Sequence, residues 1–151
     1  MKNKDSLIAV LKDEIEAMDN AVKVLSESYS RCQGIIKKRK FSIDESEKFE
    51  ALTSRFARLS DILLQKVWRS LFIAELEEDG TPRDRMNKAE KKGLIDDANE
   101  FIELRKLRNK IAHNYTLVNI RDTYKQVLIF APILLEATQK LREYVIKKNL
   151  I

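Results

Sequence analysis

Apolar side chains recur every three or four residues along most of this chain. Leu11, Ile15, Met18, Val22, Leu25 and Tyr29 form the first such stripe, with Lys and Glu between its members. That is the period of a helix that buries one face. It predicts a first helix over about residues 4 to 31, closed by Arg31-Cys32-Gln33-Gly34, where Gly34 can take the left-handed conformation. Ser42-Ile43-Asp44-Glu45 has the form of a capping box and opens a second helix. Its stripe runs Phe49, Leu52, Phe56, Leu59, Leu63 and Val67. Ile62, Trp68, Phe72 and Leu76 make a second apolar face on the same helix. Two faces predict contact on two sides and leave surface for a second copy of the chain.

Glu77-Glu78-Asp79-Gly80-Thr81-Pro82 reads as a stop and restart, with Thr81 as N-cap and Pro82 at the first helical position. A short helix to about Lys92 follows, with Gly93 as its terminator. Asp96 and Asp97 are helix-start charges for a fourth helix that buries Phe101, Leu104, Leu107 and Ile111. The last helix begins near Asn119 and carries Ile120, Tyr124, Val127, Ala131, Leu134 and Leu141 on one face. Pro132 removes one backbone donor from it and predicts a kink. No stretch alternates with period two and no internal repeat is visible. The expected fold is all-α, a bundle of four long helices and a short connecting one, in a single domain over residues 1–151. The glycine and proline breaks argue against a long coiled-coil dimer.

Composition narrows the class. Charged residues make up 35% and hydrophobic ones 44%, with three glycines and two prolines, a balance that suits amphipathic helices and leaves few turn residues for a sheet. The formal charge of +5 favours polyanionic partners only weakly. Cys32 is the sole cysteine, so an internal disulfide is excluded and a reducing compartment is the default. The N-terminal segment carries charges every few residues, unlike a signal peptide. The longest apolar run, Val127 to Leu135, contains Pro132 and falls well short of the roughly twenty residues of a membrane span. The expectation is a soluble cytoplasmic protein with no membrane partner.

Candidate chemistry concentrates in Arg108-Asn109-Lys110-Ile111-Ala112-His113-Asn114-Tyr115, which holds the only histidine. Arginine offers planar donors to phosphate oxygens, and an imidazole titrates near neutrality, so this cluster can bind and cleave a phosphodiester. Two readings of His113 stay open here: a catalytic group, or a surface residue capping carbonyls at the negative end of a helix. One histidine and one cysteine make a zinc site implausible. Three scattered glycines offer no phosphate loop. No metal or cofactor is therefore expected. Lys37-Lys38-Arg39-Lys40 is either a solvated loop or a phosphate contact. Arg58 and Asp61, one turn apart on the second helix, either form a structural ion pair or line a cleft. Arg105 and Lys110, flanking Arg108, are further candidates for cleft or RNA contacts.

The motif Arg-Asn-x-x-x-His-x-Tyr at residues 108 to 115 resembles the signature of the HEPN superfamily, in particular its HepT-like branch. The similarity extends to Phe56-Ala57-Arg58-Leu59-Ser60-Asp61, Asn87-Lys88-Ala89-Glu90-Lys91-Lys92-Gly93-Leu94 and Glu103-Leu104-Arg105-Lys106-Leu107. It covers most of the chain from about residue 45 onward; the terminal helices are similar in pattern only. HepT-like proteins are small helical toxins paired with a minimal nucleotidyltransferase antitoxin. The resemblance implies a metal-independent endoribonuclease in which Arg108 and His113 act on RNA and Asn109 supports them. It also implies that the antitoxin transfers AMP from ATP to Tyr115 and so silences the toxin. This chain lacks the Gly-Ser and paired aspartates of a nucleotidyltransferase, so that activity belongs to another protein. A non-catalytic HEPN module that binds a nucleotidyltransferase or a nucleotide, and a purely structural dimer, remain alternative readings.

Stoichiometry bears on assembly. Metal-free RNA cleavage uses a base and an acid, commonly two imidazoles, and this chain has one. A homodimer, or a higher multiple, would bring two copies of His113 and Arg108 to one composite cleft. On an uninterrupted helix, five residues rotate the chain by about 500°, placing Arg108 and His113 roughly 140° apart. Convergence within one chain requires the helix to end or unwind near Ala112; otherwise each faces its counterpart from the second copy.

Overall fold

The computed structural model describes residues 4–113 and 119–151. All regular structure among them is helical: α1 (Lys4–Gln33), α2 (Ile43–Asp61), a π-helical segment (Ile62–Val67), α3 (Trp68–Ala74), α4 (Pro82–Lys91), α5 (Ala98–His113) and α6 (Ile120–Lys147). α2, the π segment and α3 form one uninterrupted rod, so the bundle has five rods. α1 lies along α2, α6 packs on both, α5 packs on α2 and α6, and α4 sits against α5 and the π segment. The predicted stripes meet in one core, where Leu11, Met18, Leu25, Phe49, Leu52 and Leu134 are fully buried. Among the described residues, no helix is long and apolar enough to cross a membrane.

The helix starts follow the sequence. Ser42 accepts from the Glu45 amide while the Glu45 carboxylate accepts from the Ser42 amide. The hydrogen bond from Lys38, with that from the Ser42 amide, holds the Glu45 carboxyl down at about 2. Glu45 thus stays ionised at mildly acid pH in the folded chain, and its contribution, full above the ordinary glutamate range, is lost progressively as pH falls from there through about 2. Thr81 and Asp84 form the same reciprocal box ahead of α4, with Pro82 in the first turn.

The π segment explains the two apolar faces of the second helix. The Trp68 amide donates to the Leu63 carbonyl, five residues back, so one turn takes in an extra residue and rotates the rest of the rod. Ile62, Leu63 and Leu64 are consequently buried in succession, then Val67 and Trp68. This corrects the expectation of a spare face. Trp68 packs on Phe101 of α5, with ring centroids 5.6 Å apart, and Phe72 lies beneath Lys92. That face is filled from within the chain and offers no surface to a second copy. Leu76 is the exception, at 92% exposure.

Three helix ends share one geometry. At Gly93 (φ 76°), the Leu94 and Gly93 amides donate to the Ala89 and Glu90 carbonyls, which is a Schellman close. Asn149 (φ 54°) repeats it at the end of α6, and Leu76 (φ 63°) repeats it after α3. A leucine in the left-handed region costs roughly 1–2 kcal/mol. Its neighbours hold it there. Glu75 accepts from the Tyr144 hydroxyl at 2.6 Å, and Lys92 pairs with Glu77 at 2.5 Å and approaches Glu75 at 3.1 Å. Burial, and then the bond to Glu75, push the Tyr144 phenol up to about 12. Leu76→Gly is expected to stabilise the protein by about 0.5–1 kcal/mol, read as a rise of a few degrees in thermal denaturation.

Two further expectations are revised. Gly34 does not adopt a left-handed conformation. α1 runs on to Gln33, and the Ile35 and Ile36 amides both turn back to the Cys32 carbonyl, because Ile35 and Ile36 pack against the core. Pro132 lies inside α6, exposed, and the helix runs on through it to Lys147.

Candidate functional site

Phe101, Leu104 and Leu107 anchor α5 in the core, and this turns Arg105 and Arg108, one turn apart, toward the rod formed by α2 and the π segment. There Arg108 meets Asp61, the last residue of α2. Its Nε donates to Asp61 Oδ1 at 2.6 Å and a terminal nitrogen donates to Oδ2 at 2.7 Å. The Gln65 amide donates to the same carboxylate at 3.3 Å. The hydrogen bonds that Arg108 donates to Asp61 raise its pKa above the ordinary value, against the effect of burial. The two side chains are 24% and 34% exposed, so the pair contributes about 1 kcal/mol at most. Its main effect is to fix the plane and direction of the guanidinium.

The pair forms one wall of a cleft of ≈ 320 Å³ between the π segment, α4 and α5. Leu64, Trp68 and Met86 supply apolar lining, and Arg69, Arg85, Arg105 and Arg108 supply charge. Asp79 takes Arg85 at 3.0 Å and Arg69 at 3.2 Å. Arg85 chiefly holds that carboxyl below the usual carboxylate range. Four guanidinium groups against Asp61 and Asp79 leave a surplus of two positive charges. Arg105 is exposed and makes no ion pair among the described residues. The Trp68 indole nitrogen is buried without a hydrogen-bond partner. The unpaired Arg105 and the surplus of positive charge give the cleft a field that suits an anion. Among the described residues, no three His, Cys, Asp or Glu side chains gather as a metal site requires.

The other motif residues lie apart from this cleft. His113 is the exposed last residue of α5 and lines none of the five principal cavities. Asn109, half-buried, stands one turn before it on the same face, and Lys110 is exposed. Because α5 is helical from Arg108 through His113, the two side chains leave the axis about 140° apart. One chain alone does not bring them together. Tyr115 lies outside the described residues.

Arg58 needs a correction. It is exposed on a groove between α1 and α2, beside Asn20 and Arg55, neither in the cleft nor paired with Asp61. The ion pair of Asp61 is made with Arg108 on another helix. Asp61 does line the cleft, as does Arg105. Sequence reasoning missed Trp68, Arg69 and Arg85, since nothing local distinguishes a core tryptophan or a surface arginine that a neighbouring helix turns into a cleft wall. Asp96 and Asp97 prove structural: Asp96 pairs with Lys140 at 2.5 Å and Asp97 caps the Asn99 amide.

No protein-family model matches the chain, and no curated protein matches it.

Proposed function

We propose that this chain is a metal-independent endoribonuclease, a HepT-like toxin of the HEPN superfamily that acts as a homodimer. The observation that supports this reading best is the state of Arg108. Its guanidinium is held flat against Asp61 on the wall of a cationic cleft, and two of its five N–H donors are engaged, leaving three for a phosphate. His113 ends the same helix, exposed to solvent. In a dimer, one imidazole takes the proton of the RNA 2′-hydroxyl as its oxygen attacks phosphorus. The other protonates the departing 5′-oxygen. The P–O5′ bond breaks, a 2′,3′-cyclic phosphate forms, and Arg108 offsets the charge that develops on the phosphoryl oxygens.

Incubation of purified protein with RNA in excess chelator tests the reading. Cleavage with cyclic-phosphate or 3′-phosphate ends is the expected result; intact RNA sinks it. Light scattering should show a dimer or a multiple of it, and a strict monomer that still cleaves would remove the composite cleft. With the second face of α2 filled internally, a dimer must form through another surface.

The second reading, a non-catalytic HEPN module that binds a nucleotidyltransferase partner or a nucleotide, draws support from the same residues. Arg108 is already neutralised by Asp61, and His113 points elsewhere. Saturable nucleotide binding without RNA cleavage would favour it.

Control is proposed at Tyr115. In a cognate minimal nucleotidyltransferase, the phenol oxygen attacks the α-phosphorus of ATP, pyrophosphate leaves, and the added AMP sets bulk and negative charge where RNA would bind. Tyr115→Phe should resist this inactivation and retain cleavage, with mass spectrometry showing no AMP adduct. An adduct elsewhere, or inhibition of the Phe variant by complex formation alone, would count against modification at this residue.

A further inference from the structure

Arg121, in the first turn of α6, commits its guanidinium to the connection between α1 and α2. It donates to the carbonyls of Ile36 at 3.0 Å, Lys38 at 2.8 Å and Arg39 at 3.0 Å. The guanidinium also lies 4.1 Å over the Phe41 ring. Phe41 packs on Phe49 with centroids 4.7 Å apart, and Phe49 stacks on Tyr124 at 4.6 Å. One planar group thus ties three carbonyls of a four-residue stretch to α6 and to the core beneath it. A planar fork of fixed donors that also stacks on Phe41 suits this geometry better than the compact, rotating ammonium of a lysine.

The connection held in this way is the basic run. Lys38 turns back to Glu45 at 2.6 Å, and Asp44 is taken by Lys48. Lys37, Arg39 and Lys40 are exposed and make no ion pair among the described residues. Like charges so close together repel, and a free loop would relax by extending. Here the backbone is clamped, and Lys37, Arg39 and Lys40 are kept together with no ion-pair partner among the described residues.

Their position matters. Asn119 follows His113 by six residues, so its Cα lies within about 22 Å of that of His113, and Arg121 is two residues further on. The basic run is tied through Arg121 to the first turn of α6, the next described helix after the one that ends at His113. Lys37, Arg39 and Lys40 are all exposed to solvent. An open row of cations suits a polymer with repeated negative charge.

We infer that the Lys37–Lys40 connection, clamped by Arg121, is a phosphate-binding platform that holds the backbone of single-stranded RNA beside the first turn of α6. The choice of RNA rests on the ribonuclease reading; binding at the platform does not require cleavage.

The experiment measures fluorescence anisotropy of a labelled, single-stranded 2′-O-methyl RNA, which lacks the attacking hydroxyl and stays intact. Wild-type protein should bind it with a marked salt dependence. The triple variant Lys37→Ala/Arg39→Ala/Lys40→Ala, altered only at exposed positions, should bind on the order of 100-fold more weakly at 0.1 M salt, and its slope of log K against log salt should fall by about 2. Arg121→Lys keeps the charge but loses the three-carbonyl clamp, so it should also weaken binding several-fold with the net charge unchanged. Equal affinity and slope in the triple variant would overturn the inference, as would wild-type protein that does not bind RNA. Binding to phosphatidylserine vesicles instead of RNA would overturn it in favour of a membrane surface. Loss of binding in the variants, together with no cleavage of ordinary RNA by wild type, would leave the platform standing and remove the ribonuclease reading alone.

Discussion

His113→Ala is expected to abolish RNA cleavage without moving the thermal transition of the bundle. The side chain is exposed on the last residue of α5, so its removal opens no cavity and breaks none of the core contacts. The loss should instead be that of a proton-transfer group, about 100- to 10,000-fold, on a reaction that has no second histidine to substitute. Arg108→Ala should cost about 100- to 1,000-fold through lost phosphate stabilisation. Unlike the histidine variant it should also lower stability slightly, because Asp61 loses its partner on α5. Timed digestion with denaturing electrophoresis, alongside thermal melts, separates the two. Full activity in the His113 variant would end the catalytic assignment.

Trp68→Ala is expected to destabilise the fold by about 3–5 kcal/mol, a fall on the order of 10 °C in melting temperature for a chain of this size. Trp68 is fully buried at the exit of the π segment and is the contact through which the second rod meets Phe101 of α5. Alanine would leave a cavity next to the cleft. Trp68→Phe should cost far less, because the indole nitrogen has no hydrogen-bond partner and phenylalanine removes a buried donor that is already unsatisfied. Urea denaturation should show a large drop in midpoint for the first variant and a small one for the second. A loss in Trp68→Phe well beyond that of the smaller ring volume would mean that the indole N–H is satisfied, for instance by a bound water.

Local sequence determined the helices and most of their ends, because those features depend on residues one or two turns apart. The stripes of α1, α2, α5 and α6 lie within the observed elements, and the boxes at Ser42 and Thr81 form as their spacing requires. Gly93 closes α4 because it can take a positive φ without a Cβ penalty. Leu76 shows the limit of that logic: it adopts the same conformation with the wrong side chain, since Glu75 and Glu77 are held by Tyr144 and Lys92 from other helices.

What only the tertiary structure decided was how the faces and charges pair. The π turn rotates Trp68 and Phe72 inward, so an apolar face that looked available to a second copy is filled from within. A 3.6-residue period cannot reveal an inserted residue of this kind, in a segment that packs against α1 and α4. Asp61 was visible as a charge one turn from Arg58, but its partner is Arg108, 47 residues away. Arg121 carried no motif, yet it organises a loop more than 80 residues earlier in the chain. Helix propensity and amphipathic period are local properties and can be read from the order of residues. Ion-pair partners, cleft walls and clamps depend on which helices meet and at what rotation, and those are set by the side chains of the whole core together.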